Sequence, residues 1–144
     1  MLLALHNILR WFILVLGVVA LARSAKGISG GDYASGAKRA LSFFTMSLHL
    51  QLLVGLAVYG MGSLTRTAMA DMGAAMKDPS VRFFIAEHPM VMVGAVVVAT
   101  ITGVLARRGP DESTKHKRAA IGVLVTLALL LGGMPWQRPF LPHF

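Results

Sequence analysis

The sequence predicts an all-α protein, an integral membrane four-helix bundle, for two reasons. Of the 144 residues, 56% are hydrophobic and only 14% are charged, and the mean hydropathy is +0.68. This composition is too apolar for an ordinary soluble domain. The chain also contains four apolar runs close to the ~20 residues that a helix needs to cross a bilayer. The predicted spans, which make residues 1–144 a single membrane domain, are residues 3–22, 40–59, 83–105 and 119–134.

The first predicted span has the length of a signal peptide but is expected to be retained. No basic residue precedes it, it contains Arg10, and the residues after it offer no clear small-residue cleavage site. The chain has no cysteine, which excludes disulfides, thiolate metal sites, iron–sulfur clusters and thioether-linked haem. Histidine, methionine and carboxylate side chains are therefore the candidate ligands.

The basic residues predict the orientation of the spans. They cluster in the connections after the first and third spans, and such clusters mark the cytoplasmic side. Both chain ends and the middle connection are then expected outside. Because the net charge of +8 arises mainly from these clusters, it indicates membrane topology and no nucleic-acid partner. The clusters are Arg23, Lys26, Lys38 and Arg39, and Arg107, Arg108, Lys115, Lys117 and Arg118.

The middle connection predicts a short amphipathic helix within residues 64–77, lying on the outer membrane surface. Asp78 and Pro79 then predict a helix N-cap and the first helical position of the third span. Three methionines recur at helical spacing on the surface helix. They are Met69, Met72 and Met76.

The second span places a histidine, His49, near the middle of the bilayer. An ionisable side chain is costly at this depth, so His49 is a functional-site hypothesis by default. On a helix, Gln51 lies ~200° from His49, on nearly the opposite side. We therefore expect His49 to face the bundle and Gln51 to face a neighbouring helix or another subunit.

Two further histidines, His6 and His88, are predicted to lie at one level. The heights are counted along each helix from the basic residue at its cytoplasmic end. They are ~26 Å for His6, ~28 Å for His88 and only ~16 Å for His49. If the helices follow each other around the bundle in chain order, the first and third spans are diagonal. The face of His88 also carries a seam of small residues that lets another helix approach closely. The seam consists of Ala95, Ala99 and Gly103.

This arrangement fits a haem b held by His6 and His88 between diagonal helices. Arg10, one turn from His6, is the expected partner of the haem propionates, and Glu87 is the alternative partner of that arginine. His49 is either an alternative ligand or a hydrogen-bond partner for a quinone. A copper site that combines the three methionines with His6 or His88 is a further alternative, because thioether and imidazole suit Cu(I).

Each histidine also has a purely structural interpretation. His6 could be an interfacial residue bonded to a carbonyl, His88 a core histidine beside a proline kink, and His49 an interhelical hydrogen-bond partner. His116, in a basic segment, is expected to be solvated or to contact lipid headgroups. His143 falls in the outer tail.

Five segments of the chain form a pattern: LHNILRW, HLQLLVGLAVY, RFFIAEHPMVM, KHK and MPW. Together they resemble a family of small four-span bacterial membrane proteins that are often labelled cytochrome b. The resemblance implies the four-span fold and a bacterial inner membrane. The C-terminal QRPFLPHF departs from the family pattern, so His143 gains no support. The positions that the resemblance marks are His6, Arg10, His49, Gln51, Glu87, His88 and His116.

Three functions are open at this point. The first is a b-type-cytochrome-like electron-transfer protein that exchanges electrons with a redox partner such as a quinone. The second is a non-catalytic accessory subunit of a larger respiratory or photosynthetic membrane complex, packed through the face of Gln51 or through the small-residue seam. The third is the handling of a metal or a small molecule through the outer histidines and methionines. Membrane lipids are expected partners in all three cases.

Overall fold

The computed structural model describes residues 1–136, and all regular structure in this range is helical. The predicted all-α class is therefore confirmed. His143 lies outside the described residues. The elements are α1 (Leu2–Gly27), α2 (Ala37–Met61), α3 (Ser63–Ala70), α4 (Met72–Lys77), α5 (Pro79–Arg82), a π turn (Phe83–Glu87), α6 (His88–Arg107) and α7 (Glu112–Gly132).

Within residues 1–136, three helices are long and apolar enough to cross a membrane. They are α1, α2 and the continuous helix Pro79–Arg107, which joins α5, the π turn and α6. The predicted fourth span lies in α7, whose first two turns carry Lys115, Lys117 and Arg118. The apolar remainder of α7, residues 119–132, is shorter than the ~20 residues of a full span.

The four long helices pack in a ring that follows the chain. Helix α1 packs against α2 and α7, and α6 packs against α7 and α2, so α1 and α6 are diagonal, as predicted. Phe44, Val123 and Thr126 are fully buried at the centre of this ring. Gly17 lets α1 approach them closely, because a Cβ at this position would lie 2.9 Å from the Phe44 ring.

The small-residue seam of α6 is used inside the chain. Ala95, Ala99 and Gly103 are all buried. Beside them, Thr102 lies against Gly122 of α7, where any Cβ would overlap the threonine side chain. Ala95 and Ala99 therefore serve packing within the ring, whereas a Cβ at Gly103 would meet only the side chain of Arg107.

At one end of the ring, the loop after α1 is fastened to the start of α7. The backbone N–H of Tyr33 donates to Glu112 Oε2 at 2.6 Å, and Ser113 Oγ donates to the carbonyl of Ile28 at 3.2 Å. Most of the basic residues lie here, so we name it the basic end. It comprises residues 23–39 and 107–118.

His116 is buried at the basic end, so its predicted contact with solvent or headgroups is wrong. Only 2% of the residue is exposed, and its Nε2–H donates to the carbonyl of Gly31 at 3.2 Å. The imidazole also lies edge-on to Tyr33, with ring centroids 5.4 Å apart. The reason is that α1 continues to Gly27, five residues past its expected end of 22, and a Cβ on residue 27 would overlap the imidazole.

At the opposite end, the predicted surface helix within residues 64–77 is divided into α3 and α4. The division occurs at Asp71, whose Oδ1 caps α4 by accepting a hydrogen bond from the N–H of Ala74 at 2.9 Å. The predicted cap at Asp78 is confirmed, because its Oδ1 accepts a hydrogen bond from the N–H of Ser80 at 2.8 Å.

A π turn precedes His88 because Pro89 interrupts the α-helical hydrogen bonds. Proline has no N–H, so it cannot donate to the carbonyl four residues earlier, which belongs to Ile85. The hydroxyl of Tyr59 donates to that carbonyl instead, at 3.0 Å. The N–H of His88 reaches the carbonyl of Phe83, five residues back, which is the bond of a π turn. Helix α2 thus supports the long helix at the point where His88 is placed.

Candidate functional site

A cavity of about 710 Å³ lies between α1, α2 and α6 at the end opposite the basic end, with α3 over one side. We name this end the histidine end, because His6 lies near the start of α1 and α6 begins at His88. The volume lies within the ~300–1,000 Å³ that is typical of small-molecule sites. Most of the wall is apolar. The polar residues in the wall are His6, Asn7, Arg10, Gln51, Tyr59, Ser63, Thr65 and His88.

The two histidines of the cavity come from diagonal helices and meet in it. The ring centroids of His6 and His88 are 6.2 Å apart, and the ring planes are at 79°. The predicted approach of these residues is therefore confirmed. It follows from the depth argument, because both side chains stand at nearly the same height above the basic end.

His88 is held by a hydrogen bond and by an aromatic contact. Its Nδ1–H donates to the carbonyl of Gly133 at 2.7 Å, just past the end of α7. Its ring lies 5.9 Å from that of Phe83, measured between centroids. Because the carbonyl of Gly133 can only accept, the neutral imidazole keeps Nε2 as the nitrogen for another partner.

His6 is positioned by two residues of α2 that lie one turn apart. Gln51 Nε2 donates to the carbonyl of His6 at 2.8 Å. Gly55 leaves room for the imidazole, since a Cβ there would lie 3.1 Å from His6 Cε1. The Nδ1 atom of His6 is buried and makes no hydrogen bond within the described part of the chain. Gln51 therefore faces protein, as expected, and the protein it faces is α1 of the same chain.

Arg10 lines the cavity one turn from His6, as predicted, and is half-buried. Its guanidinium carbon lies 5.3 Å from the centroid of the Trp11 ring, within the range of a cation–π contact. The cavity thus combines two imidazoles with a cation in a mostly apolar wall.

Glu87 is not part of the cavity wall, and its alternative pairing with Arg10 does not occur. Its carboxylate instead accepts a hydrogen bond from Arg82 Nε at 2.7 Å on the exposed surface. The π turn explains this outcome, because its five-residue hydrogen bonds bring residues 82 and 87 onto one side of the helix.

His49 faces outward, so the prediction that it points into the bundle is wrong. It is exposed between α2 and α6, where its Nδ1–H donates to the carbonyl of Thr45 at 2.8 Å. Its Nε2 lies 3.4 Å from Thr100 Oγ1. Gln51 takes the inward side of α2 because it bonds to His6, and His49 is then turned towards the outer side of the ring.

Sequence reasoning did not single out Gly55 or Tyr59 as members of the site. Together with Gln51 they recur every four residues along the cavity side of α2. This spacing defines one helix face, and it could have identified the wall of the cavity. The signal was masked because the second polar stripe, around His49, has the same spacing.

The three methionines of the copper alternative do not join the histidines. Met69, Met72 and Met76 lie on α3 and α4, outside the cavity wall, so this alternative has no geometric support from the described residues. Within residues 1–136 there is also no group of three or more His, Cys, Asp or Glu side chains that could hold a metal ion. The exposed fractions of Met69, Met72 and Met76 are 60%, 44% and 42%.

Comparison with protein-family models, with curated proteins and with solved structures finds no match for this chain. The resemblance to the small four-span membrane proteins therefore stays a prediction.

Proposed function

We propose that the chain is an integral membrane four-helix bundle that holds a b-type haem between His6 and His88 and transfers electrons. The observation behind this proposal is the approach of the two imidazoles to 6.2 Å inside an apolar cavity of about 710 Å³. A pair of neutral imidazoles on diagonal helices is a common means of holding a cofactor in a helix bundle.

The spacing of the imidazoles suits two axial ligands of one iron. Two such nitrogens lie ~4 Å apart across the metal. A centroid distance of 6.2 Å allows for this separation once the distance from each nitrogen to its ring centre is included.

Each histidine also keeps a nitrogen for a ligand. His88 uses Nδ1 on the Gly133 carbonyl, which is the usual way in which a ligating histidine is oriented, and Nε2 remains. In His6, the buried Nδ1 has no hydrogen-bond partner within residues 1–136. An unsatisfied buried nitrogen costs about 1–3 kcal/mol, and a ligand in the cavity would offset this cost.

The remaining residues of the cavity define its environment. A bound haem supplies one-electron chemistry. Leu52, Met92 and Val96 contribute to an apolar wall that excludes water from the space between the imidazoles. Arg10 supplies a positive charge beside His6, where it would pair with a propionate.

We place all four long helices in a bacterial inner membrane, with α7 as the fourth span. This is supported by the large apolar side chains that α7 exposes, among them Ile121 at 65% and Leu124 at 57%. The lysines in its first turns can extend to the membrane surface while their stems lie along the helix. The positive-inside rule then puts the basic end in the cytoplasm and both chain ends outside.

A quinone is the electron partner that the position of His49 favours. Its imidazole is exposed between α2 and α6 at mid-helix, where a membrane-dissolved molecule can reach it. Thr100 Oγ1, 3.4 Å from His49 Nε2, adds a hydroxyl to the same surface. His49 would thus act at the membrane-facing side, separate from the histidine pair.

The accessory-subunit alternative has less support. Gln51 bonds to α1, and the seam of Ala95, Ala99 and Gly103 is buried. Gln51 and the part of the seam formed by Ala95 and Ala99 are therefore occupied within the chain, and the cofactor-binding proposal is preferred.

An absorption spectrum of the purified protein, recorded oxidised and after reduction with dithionite, tests the proposal. We expect a Soret band and a reduced α-band. Replacement of His88 by Ala should abolish the Soret band or convert it to a high-spin form, because one axial ligand is lost. His49→Ala, which also removes a histidine from the long helices, is the matched control and should keep the spectrum.

Two results would contradict this assignment. Absence of a reduced-minus-oxidised α-band from gently purified protein would remove the haem and favour the accessory-subunit alternative. A spectrum that is lost in His49→Ala but kept in His6→Ala would leave a haem protein with different ligands.

A further inference from the structure

A second groove of about 250 Å³ lies between α2 and α6 near the basic end. Leu41 and Val104 contribute apolar walls, and Thr45 and Thr100 bring hydroxyl groups to its inner part, towards the middle of the helices. Gly103 contributes no side chain, so the valley between the helices remains open. Among the described residues, no member of this groove also lines the larger cavity.

Two cations stand at the mouth of the groove. Lys38 lies in the first turn of α2 and Arg107 in the last turn of α6, and both are exposed. Neither side chain forms an ion pair within residues 1–136. Two positive charges that line one small opening repel each other, and an anion placed between them would remove this repulsion.

A neutral hydroxyl lies beside the cations. The side chain of Tyr33 is 3% exposed and lines the same groove. Burial raises the pKa of this phenol, with the nearby Arg107 acting in the opposite direction, so Tyr33 keeps its proton at neutral pH. The mouth therefore offers two cations and a hydrogen-bond donor, which together suit a phosphate oxygen.

We propose that this groove binds an anionic phospholipid, with the headgroup phosphate between Lys38 and Arg107 and an acyl chain along the valley between α2 and α6. A small soluble anion would use the cations alone. The apolar walls and the exposed Met46 beside them, at 67%, match an occupant that carries an alkyl chain next to its charge. The site requires α2 and α6 to lie in a membrane and does not depend on a haem.

Thermal unfolding of the purified full chain in uncharged detergent tests the site. The additives are dioleoyl phosphatidylglycerol, dioleoyl phosphatidylcholine and inorganic phosphate, each at the same concentration. We expect phosphatidylglycerol to raise the midpoint by ~3 °C or more, because a ligand that binds the folded state stabilises it. Phosphatidylcholine and phosphate should leave the midpoint nearly unchanged.

Variants show where the lipid acts. The double variant Lys38→Gln, Arg107→Gln should lose the rise, whereas Arg39→Gln, Arg108→Gln removes the same charge from adjacent residues outside the groove and should keep it. All four side chains are exposed, so both variants are expected to fold. Gly103→Leu, which fills the valley without changing the charge, should also reduce the rise.

Three results would overturn the proposal. An equal rise in both double variants would mean diffuse attraction to a basic surface. An equal rise with phosphatidylcholine would mean that the headgroup charge is irrelevant. A full rise with inorganic phosphate would make the site one for a free anion, with no role for the acyl chain.

Discussion

Gly55 determines how closely His6 can lie against α2. A Cβ at this position would come within 3.1 Å of His6 Cε1, so a larger residue must displace the imidazole. We expect Gly55→Val to lower the free energy of unfolding by about 1–3 kcal/mol, the usual cost of overpacking. Gly60→Val is the matched control, because nothing lies within 4 Å of a Cβ at that position of the same helix. Denaturant unfolding measures the difference, and equal costs for the two variants would contradict the contact.

Single residues were predicted well where depth decided their position. His6 and His88 meet because the rise of a straight helix is constant, so a count of residues gives their height. The orientation of His49 and Gln51 could not be obtained in this way, since both stripes of α2 carry polar groups. The deciding contact is the hydrogen bond from Gln51 to the carbonyl of His6, which involves two residues 45 positions apart.

At the scale of elements, the π turn depends on a side chain from another helix. Tyr59→Phe removes the donor to the Ile85 carbonyl, and we expect a loss of about 0.5–1.5 kcal/mol in the free energy of unfolding. In a Pro89→Ala background the restored N–H can donate to the same carbonyl, so the cost of Tyr59→Phe should fall. A double-mutant cycle measured by denaturant unfolding tests this coupling. Additive effects would show that the hydroxyl and the proline act independently.

The connection between α1 and α7 should depend on pH. The hydrogen bond from Lys115 Nζ at 2.5 Å, and then that from the Tyr33 N–H, holds the pKa of Glu112 below its ordinary value of 4.5. A lowered folded-state pKa gives stability that is complete above the unfolded-state value and is lost as the pH falls through the folded-state value. We therefore expect Glu112→Gln to lower the thermal midpoint at pH 7. The difference in midpoint between this variant and the unchanged protein should disappear in acid.

A control variant separates this effect from general charge loss. Asp32→Asn removes a carboxylate in the same loop that accepts a hydrogen bond from the N–H of Ala34. This variant should not reproduce the difference in thermal midpoint at pH 7. If the difference in thermal midpoint between Glu112→Gln and the unchanged protein persists below the folded-state pKa of Glu112, the role of the ionised carboxylate is contradicted.

The ends of helices were predicted correctly where neighbouring residues in the sequence determine them. The cap at Asp78 follows from local chemistry, and so does the proline after it. The length of α1 does not follow from local chemistry. Its last turn is stabilised by His116, which lies in a distant part of the chain and requires glycine at position 27. The burial of His116 was missed for the same reason. A histidine among lysines looks solvated until the helix that covers it is known.

At the scale of the whole molecule, the orientation in the membrane can be tested with single cysteines, since the chain has none. Ser63 at the histidine end and Ser35 at the basic end are both exposed. We expect an impermeant maleimide to label Ser63→Cys from outside and Ser35→Cys from the cytoplasmic side only. The opposite pattern would invert the topology and move the histidines to the other leaflet.

The fold class followed from composition and from the apolar runs, because a bilayer restricts spanning chains to few forms. The order of the helices around the ring was assumed to follow the chain, and the packing of α1 against α2 and α7 agrees with this assumption. The cavity could not be predicted in the same way. Its walls come from five helices, α1, α2, α3, α6 and α7, so it depends on how distant parts of the chain come together at the histidine end.

The π turn also has a consequence for chain length. Such a turn amounts to one surplus residue in an α-helix, so the deletion of any residue between 83 and 86 would restore α-helical register. The two flanking segments, α5 and α6, would keep nearly the same orientation relative to each other, because a π turn of five residues covers about the same angle as four residues of α-helix. A deletion elsewhere in the long helix would instead turn the segments on its two sides relative to each other by ~100°. Residues 83–86 should therefore tolerate the loss of one residue better than the rest of the long helix does.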